Sequence, residues 1–485
     1  MTTPSPTWGC DVFVSVTCND GRVIDEFRSA FQELIDSSVT AGTGFSTAVH
    51  RVYQLAPHVP AQERALAMEA LGPVLAGDHG TPGVIADLMV VAGAMAEIGT
   101  PPGATGVEVL RQLVFSGRGA VRFLEAWDRT GGGALPDPDS VGEADQDRVT
   151  PHLGDDAPVM TVAWWTIRRG GLAAKTMLTD PDVRAALRRD TALHSELTSI
   201  AQQLRSSLWE FDEISTLLRM VHANSLVVLD SSSGRGFRVR FDGISDNQQL
   251  HTLLADELVG ADSYGLDGQR PDPRCSAAFR DADPHDEYVY GWWNLLVADG
   301  TDVTTGHAPA DIPHAGDERL VTLQRRSQPR PWKAQRRHPQ VQGWLVVERE
   351  LSEEERAAWW ELSPVEPAPA EDRGERGPET PEAFTNAAQV SRFVEDILNT
   401  GTREDAAAPP SEAPRAAEEG TARSSELTEA FPAVDDGAEA PSGDPPGETT
   451  RHDAPGEGSD VSGPRFLPPL PPGVSDSSAW GPRWL

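Results

Sequence analysis

The stretch Ser225-Leu226-Val227-Val228-Leu229-Asp230, followed by the turn Ser231–Gly236 and then Phe237-Arg238-Val239-Arg240-Phe241, is where the chain changes its periodicity. Upstream, apolar residues recur every three or four positions. Here a short apolar run gives way to strict alternation of apolar and cationic residues. A period of two sets Phe237, Val239 and Phe241 on one face of a strand and Arg238 and Arg240 on the other. Two such runs joined by a Ser/Gly-rich turn predict a β-hairpin. A second lobe therefore begins near residue 223.

Before the hairpin, the chain from about Val23 to His222 reads as helical, which makes residues 1–222 a predominantly helical domain. Segments Ala61–Leu75, Gly83–Ile98, Val107–Phe115 and Val121–Trp127 are set off by Gly/Pro breaks such as Gly99-Thr100-Pro101-Pro102-Gly103. An acidic Pro/Gly-containing loop over about 131–156 interrupts the series. Leu193, Leu197, Ile200, Leu204, Leu208 and Phe211 then keep helical spacing, predicting one long helix from Thr191 to about Val221.

After the hairpin, Asn247–Val259 reads as a helix, and Tyr288–Val297, Leu320–Gln324 and Trp344–Val347 read as strands. Ser352-Glu353-Glu354-Glu355 carries a capping-box start to a helix bearing Trp359 and Trp360. Mixed strands and helices over 223–363 make this an α+β domain. At the N-terminus Asp11-Val12-Phe13-Val14-Ser15-Val16 alternates as a strand. Its Asp-Val-Phe phrase resembles the opening strand of a Toll/interleukin receptor domain. The resemblance covers these six residues; no regular series of βα units follows, and no catalytic residue is carried over.

The whole chain of 485 residues has 41 Lys+Arg against 75 Asp+Glu, a formal net charge of −34. Such a charge repels phosphate backbones and speaks against broad nucleic-acid binding, though a local basic patch could override it. The longest apolar run, Leu88–Met95, is flanked by Asp87 and Glu97 and falls short of the ~18 residues of a membrane span. The start Met1-Thr2-Thr3-Pro4 shows no basic or apolar signal segment. Three cysteines, Cys10, Cys18 and Cys275, make no disulfide framework. A cytoplasmic location is the expectation. Lys175 and Lys333 are the only lysines, and the Ala/Gly/Pro/Arg-rich composition is that of a high-GC, actinobacterial type of genome.

Residues 364–485 read as a disordered acidic tail. From Glu371 to Leu485 there are 23 acids and 9 bases, with few aliphatic residues. Two segments interrupt it. Thr380-Pro381-Glu382 opens a predicted amphipathic helix over about 381–399, with Val390, Phe393, Val394 and Ile397 on one stripe. At the C-terminus Arg465, Pro468 and Pro471 fit an Arg-x-x-Pro-x-x-Pro pattern similar to an SH3-domain ligand, followed by Trp480 and Trp484. Apolar anchors on a solvated segment have no core of their own to join, so these residues are candidate partner-docking positions.

Catalytic and ligand candidates concentrate between Asp242 and His338. His251 is the one imidazole on its helix and a candidate acid–base; Asp256, five residues on, faces about 140° away and cannot orient it. Two imidazoles and a carboxylate within eight residues, His307, Asp311 and His314, could hold a divalent metal, with His285, Asp283 or Asp286 as a further ligand. Otherwise they form a Pro-stiffened loop in which Asp311 caps a turn. Between Leu320 and Val347 there is no acid, whereas Arg325, Arg326, Arg330, Lys333, Arg336 and Arg337 cluster around Trp332. With Arg238 and Arg240 they form a candidate anion surface, for a nucleotide, a nucleic acid or the acidic tail itself. The segment Gly234-Arg235-Gly236 is no phosphate loop, and no nucleophile elbow, zinc-protease or dinucleotide motif is present. The sequence reading favours an adaptor that docks proteins through its tail. The alternatives are a hydrolase or metal-assisted transferase in the α+β domain, and a nucleotide or nucleic-acid sensor. No resident cofactor is expected.

Overall fold

The structure, a computed structural model, describes residues 11–40, 44–77 and 80–368. The tail helix with Val390, Phe393, Val394 and Ile397 and the terminal segment with Arg465, Pro468, Pro471, Trp480 and Trp484 lie outside the described residues. What is described is an α+β protein with a helical lobe followed by a sheet lobe.

Among the described residues, ten α-helices precede the first strand. These are α1 (Asp11–Thr40), α2 (Phe45–Leu55), α3 (Ala61–Ala76), α4 (Pro82–Glu97) and α5 (Gly103–Arg129), then α6 (Glu143–Leu153), α7 (Ala157–Met177), α8 (Pro181–Arg189), α9 (Thr191–Leu204) and α10 (Trp209–His222). Local chemistry sets several starts. Pro82 follows the N-cap Thr81 in α4, and Asp180 accepts from the amides of Asp182 and Val183 to open α8 at Pro181. Leu34, Leu71, Leu88, Leu110, Phe123, Trp164, Ile167 and Phe211 make the lobe's fully buried centre.

Four sequence expectations change here. Asp11–Val16 belongs to α1 and is not a strand. Its alternating valines run straight into a helical stripe of Phe27, Phe31 and Leu34, and extending a nucleated helix costs less than starting a strand beside it. The likeness to a Toll/interleukin receptor strand therefore does not reach the fold. Second, Val107–Phe115 and Val121–Trp127 are one helix. The intervening Gly117 and Gly119 do not break it but let neighbours close in: a Cβ on Gly119 would lie 2.5 Å from Ala163 of α7, and one on Gly117 2.7 Å from Ile200 of α9. Third, the acidic loop contains α6, begun where the Asp145 carboxylate accepts the Gly142 amide, with Val149 buried beneath it. Fourth, the long last helix is two. Leu208 takes an extended conformation ahead of α10 while its side chain stays buried, so the apolar spacing survives the break.

The sheet lobe comprises β1 (Ser225–Asp230), β2 (Gly236–Asp242), α11 (Asn247–Leu258), α12 (Pro273–Arg280), β3 (His285–Leu296), β4 (His314–Ala315), β5 (Glu318–Ala334), β6 (Trp344–Glu350) and α13 (Glu353–Trp360). Strand order is β3-β5-β1-β2-β6, with β4 on β5. The pair β1–β5 is parallel and the others are antiparallel. The hairpin is β1–β2, with Val228 opposite Phe237. One sheet face, with Val228, Phe237, Val239, Phe241, Leu295 and Leu323, packs under α11 and α12. The other face keeps a small core of Val227, Leu229, Leu320 and Leu351 against Trp359 and Trp360 of α13. The predicted strand Leu320–Gln324 grows to seventeen residues and takes in most of the basic stretch.

Polar ties join the lobes. Arg184 of α8 reaches Asp242 at the end of β2, as does Arg188, and Arg219 of α10 pairs with Asp311. Val341, between β5 and β6, is buried in the helical core. After α13 the chain returns to the sheet: Ser363 Oγ meets Thr322 Oγ1 at 2.9 Å, and the Ala368 amide donates to the Ser231 carbonyl.

Candidate docking surface

Strand β6 lies at an edge of the sheet, and its first residues divide sharply by face. Leu345, opposite Phe241, is fully buried. Trp344 and Val346 turn to the other face and are 41% and 48% exposed. Their cross-strand partners are Asp242 and Arg240. The Arg240 side chain is exposed and has no hydrogen bond or ion pair among the described residues. An indole and a valine of the edge strand and an unpaired guanidinium of its neighbour β2 therefore stand together on one sheet face. Large side chains left exposed together on an edge strand mark a contact surface more often than scattered single ones do.

Charges bound this patch along the strand. Arg349 holds Glu355 through two 2.6 Å bonds, and Arg235 holds Glu350 likewise at 2.7 and 2.6 Å. The Tyr264 hydroxyl donates to the Val347 carbonyl at 3.4 Å, covering part of the outer backbone. Such features limit indiscriminate strand pairing and leave Trp344 and Val346 as the accessible portion. The sequence identified β6 as a strand but gave no signal that it lies at an edge, because strand order depends on long-range pairing.

The other candidate residues are placed as follows. His251 is buried between two indoles, its ring 5.4 Å from Trp293 and edge-on to Trp332 at 5.1 Å. Its Nε2 accepts the Trp293 amide at 3.2 Å. Burial lowers its pKa to about 4, so it is a neutral packing and acceptor group here. Asp256 turns away from it, pairing with Arg270 and Arg280. Trp332, read as part of an exposed basic surface, is buried and donates to Thr252.

His307, Asp311 and His314 do not bring three ligand atoms together. His307 is exposed, with Nδ1 at 2.8 Å from the Thr305 carbonyl, and His314 is exposed on β4. Asp311 caps the Ala308 amide and pairs with Arg219. Burial opposes its charge, yet that amide and that guanidinium outweigh it and hold the pKa below the ordinary carboxylate value. Among the described residues, the group of thiol, imidazole and carboxylate that does converge is Cys275, His285 and Glu287.

The basic candidates divide into engaged and free. Arg238 pairs with Glu318, while Arg326 and Arg330 pair with Asp302. Arg336 donates to the carbonyls of Ala278, Asp281, Ala282 and Pro339 and so closes the C-terminus of α12. The side chains of Arg240, Arg325, Lys333 and Arg337 are exposed, with no hydrogen bond or ion pair among the described residues. Of the eight basic candidates, three are thus neutralised by carboxylates and a fourth is taken up by backbone carbonyls.

No protein-family model, curated protein or solved structure matches the chain. No helix among the described residues is long and apolar enough to cross a membrane.

Proposed function

We propose that the chain is an adaptor that binds other proteins, using the β6 edge of its body together with docking segments of its C-terminal tail. The observation that supports this reading is the grouping of exposed Trp344 and Val346 beside the unengaged Arg240. Tryptophan is among the side chains that most often dominate protein–protein binding energy, through its desolvated area, and an exposed arginine steers a partner of opposite charge. An edge strand adds backbone donors and acceptors for an incoming strand. The test is photo-crosslinking in the native cell from a reactive residue at position 344, with a control at exposed Glu125 of α5 and a chain cut after Ala368. A discrete adduct from position 344 only, weakened by the cut, fits the reading. Equal adducts from both positions, or none, sinks it.

A second reading, of a nucleotide or single-stranded nucleic acid, has one observation in its favour. Lys333, exposed and without a partner among the described residues, stands opposite the half-buried Tyr288 in the β3–β5 ribbon, with Tyr290 two residues on. Aromatic faces beside cations suit unstacked bases. Strongly salt-dependent binding of an oligonucleotide, lost in Lys333→Glu, would favour it over the first reading.

A further inference from the structure

We propose that Cys275, His285 and Glu287 form a binding site for a zinc-class divalent cation at the junction of α12 and β3. Their sulfur, nitrogen and oxygen ligand atoms all lie within 4.8 Å of one another. This surface is separate from the β6 edge in sequence and in the sheet, so the inference stands independently of the docking reading.

Local structure delivers each group. Asp272 accepts the Arg274 amide at 2.8 Å, and Pro273 opens α12, which fixes Cys275 in its first turn with the thiol side chain buried. Only residues 281–284 separate the end of α12 from β3. His285 is the first residue of β3, held in register with Ala334 of β5. Its Nδ1 accepts the Glu287 amide at 3.2 Å, which keeps the ring close to that residue. Glu287 is exposed and able to turn.

The donor set selects the metal class. One thiolate, one imidazole and one carboxylate suit Zn²⁺ or Co²⁺, whereas Mg²⁺ and Ca²⁺ demand mostly oxygen. Tetrahedral bonds of about 2.0–2.3 Å bring ligand atoms to roughly 3.3–3.8 Å apart, a closure within reach of rotation at Glu287. On binding, the Cys275 thiol passes its proton to solvent, and a water fills the fourth position. Arg274 now stands where a cation would help: its Nη2 lies 3.0 Å from Glu287 and 2.9 Å from Asp272. At 60% exposure that side chain is free to leave as the metal enters.

Cobalt titration of the full-length chain, stripped by chelator and kept reduced, tests the site. One equivalent of Co²⁺ should produce a thiolate-to-metal charge-transfer band that Zn²⁺ displaces. Cys275→Ser should abolish the band, and His285→Ala or Glu287→Gln should each weaken binding about tenfold or more. Arg274→Ala, which removes the competing cation, should tighten it. No thiolate band, or a band that survives Cys275→Ser and so belongs to Cys10 or Cys18, overturns the proposal. If Cys275→Ser fails to fold, unchanged affinity in both His285→Ala and Glu287→Gln overturns it equally.

Discussion

The guanidinium of Arg184 meets the carboxylate of Asp242 at 2.6 Å where both side chains are sealed from water, at 1% and 7% exposure. Nε of Arg184 adds a second bond to the same oxygen, and Nη1 donates to the carbonyls of Leu178 and Thr179. Arg188 takes the other carboxylate oxygen at 2.9 Å. The end of β2 is thereby tied to α8, and the helical lobe to the sheet lobe.

Removing one partner leaves a buried charge without its counter-ion, which costs about 3–5 kcal/mol. Arg184→Met is therefore expected to lower the urea midpoint strongly, with loss of both lobes in one transition. Replacing Arg184 and Asp242 together by Met and Leu is expected to recover much of that loss, because the desolvation of both ions disappears. A single mutant as stable as the parent chain would show that the pair does not join the lobes.

Acid should destabilise the fold through its buried histidines. His251 titrates near 6.5 when unfolded and near 4 when folded, because burial disfavours the imidazolium. His338 is shifted the same way, also to about 4, by burial and by nearby Arg337. A lowered histidine pKa means that the unfolded state takes up protons first. Stability is full above about pH 6.5 and falls as the pH drops toward 4, by up to about 3 kcal/mol for His251. His251→Gln keeps an acceptor for the Trp293 amide and removes the titration. The gap between urea midpoints at pH 7.5 and pH 5 should narrow in this variant; an unchanged gap contradicts the assignment.

Gly291 lies where the indole of Trp332 passes closest to β3. A Cβ there would fall 2.0 Å from the ring and 3.2 Å from His251 Nε2. Gly291→Ala is expected to cost about 1–3 kcal/mol by overpacking. Trp332→Leu in the same chain should relieve part of it, giving a coupling above about 0.5 kcal/mol in a double-mutant cycle. Additive effects would mean that the ring and the strand do not constrain each other.

Much of this architecture was legible because its signals are local. Alternation marked the β1–β2 hairpin, the Ser352 capping box marked α13, and apolar spacing marked α3, α4 and α11 at nearly their observed ends. What was illegible depends on partners distant in sequence. Gly117 and Gly119 read as breaks because Ile200 and Ala163, which fill the space beside them, lie far along the chain. The arginines of and just after β5 read as one basic surface because Asp302, which pairs with Arg326 and Arg330, and the α12 carbonyls, which hold Arg336, are brought in by the fold. His251 reads as a candidate acid–base because nothing nearby in sequence announces Trp293 and Trp332 as its walls. The same holds for the converging thiol, imidazole and carboxylate: in the sequence His285 reads only as a further ligand beside His307 and His314, and nothing links Cys275 to it.

Separating stability from binding gives the sharpest test at the β6 edge. Trp344 and Val346 are about half exposed and lie outside the buried core, so Trp344→Ser should cost only about 1 kcal/mol of folding stability. If the indole is an anchor, the same change should weaken a bound protein by about 2 kcal/mol or more, close to thirtyfold in dissociation constant. Arg240 sits beside the apolar pair and remains hydrated, so Arg240→Ala should act chiefly on the association rate and its salt dependence. The two variants are thus expected to differ kinetically, Trp344→Ser raising the dissociation rate and Arg240→Ala lowering the association rate. Surface-immobilised full-length chain and the protein crosslinked from position 344 supply the measurement. Equal, small effects from both variants would mean that the partner contacts the body elsewhere and that the exposed edge has no part in recognition.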